Sequence, residues 1–198
     1  MIIVDVETTG IDPKKDSIVS IGAVDFLNPK NQFYRECRIW EGANVSKIAL
    51  EINGFSEDEI RDPNKISLED AVKDFLVWVE TTSERTLAGE NPSFDRDFLI
   101  ASMDRYSMRW PLGHRTIDLH SLCYNHHLKR GLVPPVKDKR TNLNTDKILQ
   151  YVGLPAEPKP HNALTGAKME AEAFSRLIFG KSLLDEFKNY QVPEYLRF

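Results

Sequence analysis

Apolar and polar positions in this chain follow two different periods. Residues 2–8, Ile-Ile-Val-Asp-Val-Glu-Thr, are an apolar run interrupted by acids at alternate positions, and residues 17–27 are a second apolar run stopped by Asn28-Pro29. Both predict buried β-strands, and residues 32–40 predict a third, partly alternating one. The links between them are short turns, so the three should form an antiparallel meander. From Ser67 the period changes: apolar residues at 68, 71, 72, 75, 76 and 79 have helical spacing, with Ser67 as N-cap and Asp70 completing a capping-box-like start. A short strand near 86–89 follows, then a helix over 93–106 with Phe94, Phe98, Leu99 and Met103 on one face. A last strand at 115–118 and helices near 118–129, 142–152 and 164–179 complete the pattern. Three strands followed by alternating helix and strand predict an α/β fold with a mixed five-stranded sheet flanked by helices.

The 198 residues suit one domain with a substantial core, and 41% apolar and 28% charged residues are ordinary for a globular protein. A formal charge of −4 argues against a protein that coats nucleic acid by bulk electrostatics, so any polyanion contact must come from local basic patches. The one candidate patch is Lys129–Arg140, a Pro/Gly-broken stretch rich in lysine and arginine, which reads equally as a solvated connector or a phosphate-contacting flap. His126 and His127 read as surface residues of a helix. With two cysteines, Cys37 and Cys123, there is no disulfide framework. The first strand starts at once, leaving no room for a signal peptide, and no apolar run reaches the roughly 18–20 residues of a membrane span. The expectation is a cytoplasmic protein without a membrane partner.

Candidate chemistry starts in the first strand. Alternation puts Asp5 and Glu7 on one side, about 6–7 Å apart. Two buried carboxylates so close are held ionised most cheaply by cations, and hard oxygens suit Mg²⁺ or Mn²⁺. Thr8, Thr9 and Gly10 end the strand in a turn. In Gly89-Glu90-Asn91-Pro92-Ser93-Phe94-Asp95, Asp95 falls in a helix's first turn, where an anion is favoured. In Pro158-Lys159-Pro160-His161-Asn162-Ala163-Leu164, prolines keep His161 on a loop ahead of the last helix.

Taken together these stretches resemble the DEDDh family of 3′–5′ exonucleases. Asp5 to Gly10 match Asp-x-Glu-Thr-Thr-Gly; Asn91, Phe94 and Asp95 match Asn-x-x-Phe-Asp; His161, Ala163 and Ala167 match part of His-x-Ala-x-x-Asp-Ala. Ile52-Asn53-Gly54, Thr116-Ile117-Asp118 and Asn142-Leu143 are further landmarks. The resemblance extends over an exonuclease-like domain at 1–181, leaving a short C-terminal extension at 182–198. It implies a ribonuclease H-like fold and metal-dependent hydrolysis of single-stranded DNA or RNA from the 3′ end, releasing nucleoside 5′-monophosphates. It implies two divalent ions, Mg²⁺ or Mn²⁺, with Asp5 bridging both, Glu7 and Asp95 holding one each, and His161 accepting the proton of the attacking water. Thr8, Thr9, Gly10, Asn91 and Phe94 would bind the terminal nucleotide, and a polymerase or nuclease is a possible partner.

The pattern breaks at one position: the last motif aspartate should stand at residue 166, which is Gly166. One reading is a catalytically weak or inactive module that binds 3′ ends or a protein partner. The favoured reading uses Glu170, one helical turn further on, whose side chain leans back towards the N-terminus and over the glycine as a replacement metal ligand. On that reading Gly166→Asp should be tolerated, and Glu172, facing the opposite way, should be solvated. A metallohydrolase of small phosphate esters is a third, lower-ranked reading.

Overall fold

The parity of β1 (Ile2–Thr8) organises the molecule. Ile2, Val4 and Val6 point to one face of the sheet and Ile3 to the other, each into a separate apolar core, so Asp5 and Glu7 follow Ile3. The structure is a computed structural model that describes residues 1–197. β1 pairs antiparallel with β2 (Ile18–Asp25), and β2 with β3 (Gln32–Glu36), giving the expected meander. Helices α1 (Lys47–Asn53), α2 (Glu57–Arg61) and α3 (Leu68–Glu80) follow, then β4 (Leu87–Gly89), α4 (Ser93–Arg105) and β5 (Thr116–Asp118). β4 and β5 add in parallel to the free edge of β1, so the mixed five-stranded sheet runs β3-β2-β1-β4-β5. The chain ends with α5 (Leu119–Lys129), a hairpin of β6 (Val136–Lys137) and β7 (Arg140–Thr141), α6 (Thr145–Tyr151) and α7 (Ala163–Phe179).

Helices α3 and α4 cover one face, where Phe75 and Phe98 are fully enclosed; α5, α6 and α7 cover the other around Phe174. Burying each such phenylalanine contributes roughly 1.5–3 kcal/mol. Ser67 caps α3 as its sequence suggests, its Oγ accepting the Asp70 N–H at 3.1 Å. Among the described residues no helix is long and apolar enough to cross a membrane.

Four local expectations change. The third strand stops at Glu36: Cys37 still donates to Val19 O of β2 at 2.9 Å, but Arg38 turns away and donates to Ile66 O at 2.9 Å. The Lys129–Arg140 stretch contains most of an exposed hairpin, turned by Asp138 and Lys139 at positive φ (51° and 62°). His127 is buried, stacked on the Tyr151 ring at 4.0 Å, because α6 packs on that side of α5. Glu172 is buried rather than solvated, since residues 182–197 fold back over α7 and bring Leu184, Phe187 and Leu196 into its core. There Glu172 pairs with Arg176 at 2.7 Å and accepts the Leu183 and Leu184 N–H groups at 2.7 and 3.0 Å.

Candidate active site

Two close approaches put α7 over the strand acids. Gly22 of β2 stands opposite Asp5 in the ladder, and a Cβ there would overlap the Ala163–Leu164 backbone, so the first turn of α7 rests directly on the strand. One turn further along, Gly166 lies over Asp5: a Cβ on it would overlap Asp5 Oδ2 and stand 3.0 Å from its Cγ. Glu7 sits at the end of the regular ladder, where the β1–β2 register shifts between Glu7 and Thr8, a break that re-aims side chains beside it.

Asp95 comes from the first turn of α4 and is tied to β1, accepting the Val6 N–H at 3.0 Å between the two strand acids. The sharp turn from β4 into α4 uses Asn91 at φ 52°, a left-handed conformation that asparagine tolerates, with its N–H given to Asp118 Oδ1 at 3.3 Å. His161 is placed by the C-terminal end of α1. Its N–H donates to Ile52 O at 3.0 Å, while Asn53 Nδ2 donates to Thr8 O at 3.0 Å, so one short helix fastens both the end of β1 and the histidine loop. Asn162 then caps α7, accepting the Leu164 and Thr165 N–H groups at 3.1 Å.

The result is a cleft of about 320 Å³ into which seven carboxylates and His161 project, with no lysine or arginine among its described lining residues. Burial, and then the charges of Asp95, Glu170, Glu7 and Glu157, push the Asp5 carboxyl well above the usual carboxylate range. Glu7 is pushed up to about 7 by burial and by Glu157. Asp95 is also pushed up to about 7 by burial, against the opposing pull of the Val6 N–H. Glu170 rises by burial and by Asp95 and Glu90. Two buried oxygens in this set, Glu157 Oε1 and Glu170 Oε2, have no hydrogen-bond partner. Orphaned hard oxygens among like charges fit divalent cations, which would supply the missing counter-charge and lone-pair partners together.

Of the residues singled out in the sequence, the fold brings Asp5, Glu7, Asn91, Phe94, Asp95, His161 and Glu170 to this one cleft. Glu170 is 6% exposed and does not lean over Gly166; its Oε2 lies 3.2 Å from where a Cβ on Gly89 would stand. The volume above Gly166 is held by Asp5 Oδ2, so a side chain at this position has to displace the Asp5 carboxylate, which weighs against the expectation that Gly166→Asp is tolerated. Thr8 and Gly10 line a second, largely apolar cavity of about 450 Å³, edged by the exposed Ile11 and Ile48. Glu7 and Phe94 border both cavities. Thr9 is fully buried: its hydroxyl donates to Asn44 O at 2.6 Å and accepts the Ser17 N–H at 2.9 Å, holding the turn.

Three cleft acids are not among the candidates that the sequence offers: Glu90, Asp146 and Glu157. Glu157 lies four residues ahead of His161 in the same proline-rich stretch, the one signal that could have marked it. Its Oε2 is 3.6 Å from His161 Nδ1, and ligand atoms of Glu7, Glu157 and His161 all lie within 4.8 Å of one another.

The chain is 26% identical over 194 residues to a PolC-type DNA polymerase III of Thermotoga petrophila, covering 95% of this chain and 13% of that protein. It is 27% identical over 123 residues to ribonuclease T of Haemophilus influenzae, covering 54% of this chain and 52% of the relative. It therefore spans a small part of the first relative's length and about half of the second's. Its fold is that of the nuclease domain of 3'hExo, a DEDDh family member solved with rAMP (TM-score 0.69, 17% identity, 98% of this chain and 95% of that one). E. coli exonuclease I in complex with a dA16 oligonucleotide shares it too (TM-score 0.68, 18% identity, 89% and 40%). The ribonuclease H-like architecture expected from the motifs is thus the one observed. The family model described as exonuclease, RNase T, matches residues 2–174, and the chain accordingly belongs to this family of divalent-metal-dependent exonucleases.

Proposed function

We propose that this chain is a 3′–5′ exonuclease that removes nucleoside 5′-monophosphates from the 3′ ends of single-stranded DNA or RNA, using two divalent ions, Mg²⁺ or Mn²⁺. The observation that carries this reading is the junction of two unlike cavities. An acidic, cation-demanding cleft meets an apolar one of nucleotide dimensions, and Glu7 and Phe94 form the border. A 3′-terminal nucleotide has the same two halves: a phosphate that needs cations and a base that needs an apolar wall. The ring of Phe94, braced against Phe98 at 4.8 Å, offers that wall.

Asp5, Glu7 and Asp95 would hold the ions, which when bound supply Lewis acidity to the scissile phosphate and acidity to the attacking water. His161, with 31% of its side chain exposed, stands at the cleft, where an imidazole nitrogen can take that water's proton. The apolar cavity and Phe94 orient the terminal base so that the phosphodiester lies over the carboxylates. Thr141 on β7, bonded to His120 Nε2 at 2.8 Å, lies near the cleft, so the basic hairpin offers lysine and arginine to the strand's phosphates. The likeness to a PolC-type polymerase supports work beside a DNA polymerase. Two buried, unpaired thiols suit the cytoplasm.

A 5′-labelled single strand incubated with Mn²⁺ should shorten as a ladder from its 3′ end, and chelation should stop it. Binding without shortening would instead establish an end-binding module, the alternative that Gly166 keeps open. Cleavage of nitrophenyl phosphate esters with indifference to polynucleotides would establish a small-ester hydrolase.

A further inference from the structure

The motif's last aspartate has no counterpart at Gly166, and the cleft contains a carboxylate from another segment close to the vacated position. We propose that Glu157, on the loop between α6 and α7, supplies this missing carboxylate and holds the divalent ion on the Glu7 side of Asp5. The inference rests on the reading of the cleft as a divalent-metal centre.

Position is the first argument. A Cβ on Gly166 would stand 3.4 Å from Glu157 Oε1, so Glu157 brings its oxygen to the edge of the volume that a side chain at 166 would occupy. Asp5 Oδ2 fills the rest, so a side chain at 166 enters only if the Asp5 carboxylate moves aside.

Environment is the second. The Glu157 side chain is only 9% exposed, yet its Oε1 accepts no hydrogen bond. It shares the cleft with six other carboxylates and no lysine or arginine among the described lining residues. A carboxylate so placed is costly unless a cation meets it. Pro155 and Pro158 flank this stretch and restrict its backbone, so the side chain is presented from a stiffened loop.

Company is the third. Glu157, Glu7 and His161 bring their oxygen and nitrogen atoms within 4.8 Å of one another, a spacing that suits one ion held by the two carboxylates with the imidazole beside it. While Glu157 Oε1 has no protein partner, Oε2 faces His161 Nδ1 at 3.6 Å.

Glu170 does not compete for this place, because its Oε2 lies beside Gly89 with Asp95 and Glu90 as its strongest charged neighbours. Asp5 is left between two pairs, Glu7 with Glu157 and Asp95 with Glu170. The chain thus assigns the lost motif position to a loop residue nine places earlier in sequence.

Titration calorimetry of the whole chain with MnCl₂, with circular dichroism as the check on folding, tests this. The wild-type protein should take up two ions. Glu157→Gln, which keeps the shape and removes the charge, should keep one and bind the other on the order of 10–100-fold more weakly. Glu157→Asp, one methylene shorter, should show a smaller loss and serves if the glutamine variant does not fold. Unchanged Mn²⁺ affinity and stoichiometry in a folded variant overturns the proposal; an altered pH–rate profile alone would make Glu157 a positioning residue for His161. A wild-type protein that binds no Mn²⁺ overturns the metal-centre reading as well, which separates the two failures.

Discussion

His161 and His127 carry the same imidazole, and the fold gives them different surroundings. His127 is buried, its Nδ1 2.9 Å from Cys123 O and its ring against Tyr151, whereas His161 opens to the cleft beside Glu157. His161→Ala should therefore slow strand shortening by on the order of 10²–10⁴ while Mn²⁺ uptake, read by calorimetry, continues. Gly166 shows the opposite dependence, on space alone. Because Asp5 occupies the place of its side chain, Gly166→Asp should displace Asp5 and abolish strand shortening; wild-type turnover in that variant would show that the pocket is roomier than its geometry indicates. The motif residues Asp5, Glu7 and Asp95 were legible in the sequence because each sits at a fixed offset in a local pattern. Glu157 was not, since its partners are 150 positions away at Glu7 and nine away at Gly166.

Among the elements, α1 has a larger role than its seven residues suggest. A helix of two turns gives too little periodicity to be read, although Ile52-Asn53-Gly54 stood out as a landmark. Its C-terminal end carries the donor to Thr8 O and the acceptor for His161 N. Asn53→Ala removes this buried donor to Thr8 O, which should cost about 1–3 kcal/mol in urea unfolding and slow strand shortening as the histidine loop loosens. Helix α7 reads clearly as a helix, yet its surroundings are set by residues far along the chain. Its polar side at Glu172 and Arg176 looks made for water until the last residues cover it, with Arg176 also donating to Val152 O at 2.9 Å and Tyr190 O at 2.9 Å. Glu172→Ala leaves that guanidinium buried without its carboxylate and should cost about 3–5 kcal/mol in the same measurement.

For the molecule as a whole, the acidic cleft links stability to pH and to metal. Glu7 and Asp95, both pushed up to about 7, keep their protons in the folded chain at pH values where the unfolded chain has released them. The folded state binds more protons, so this contribution is fully present below the ordinary carboxylate range and is lost as pH rises through about 7. In chelator, the melting temperature should fall between about pH 5 and pH 8; with Mn²⁺, which binds the deprotonated carboxylates, the fall should vanish or reverse. A flat profile in chelator would mean that the carboxylates are not strained in the folded protein. By itself the sequence determined the strand parity, the meander, the helix periods and three of the cleft's seven acids through its motifs, because each of these depends on neighbours a few residues apart. Only the tertiary structure decided that Asp5 fills the space over Gly166, that Glu170 turns towards Gly89, that Glu157 arrives from a loop and that Glu172 is sealed from water. Those outcomes depend on distances between segments, which packing against the sheet sets and no local pattern encodes.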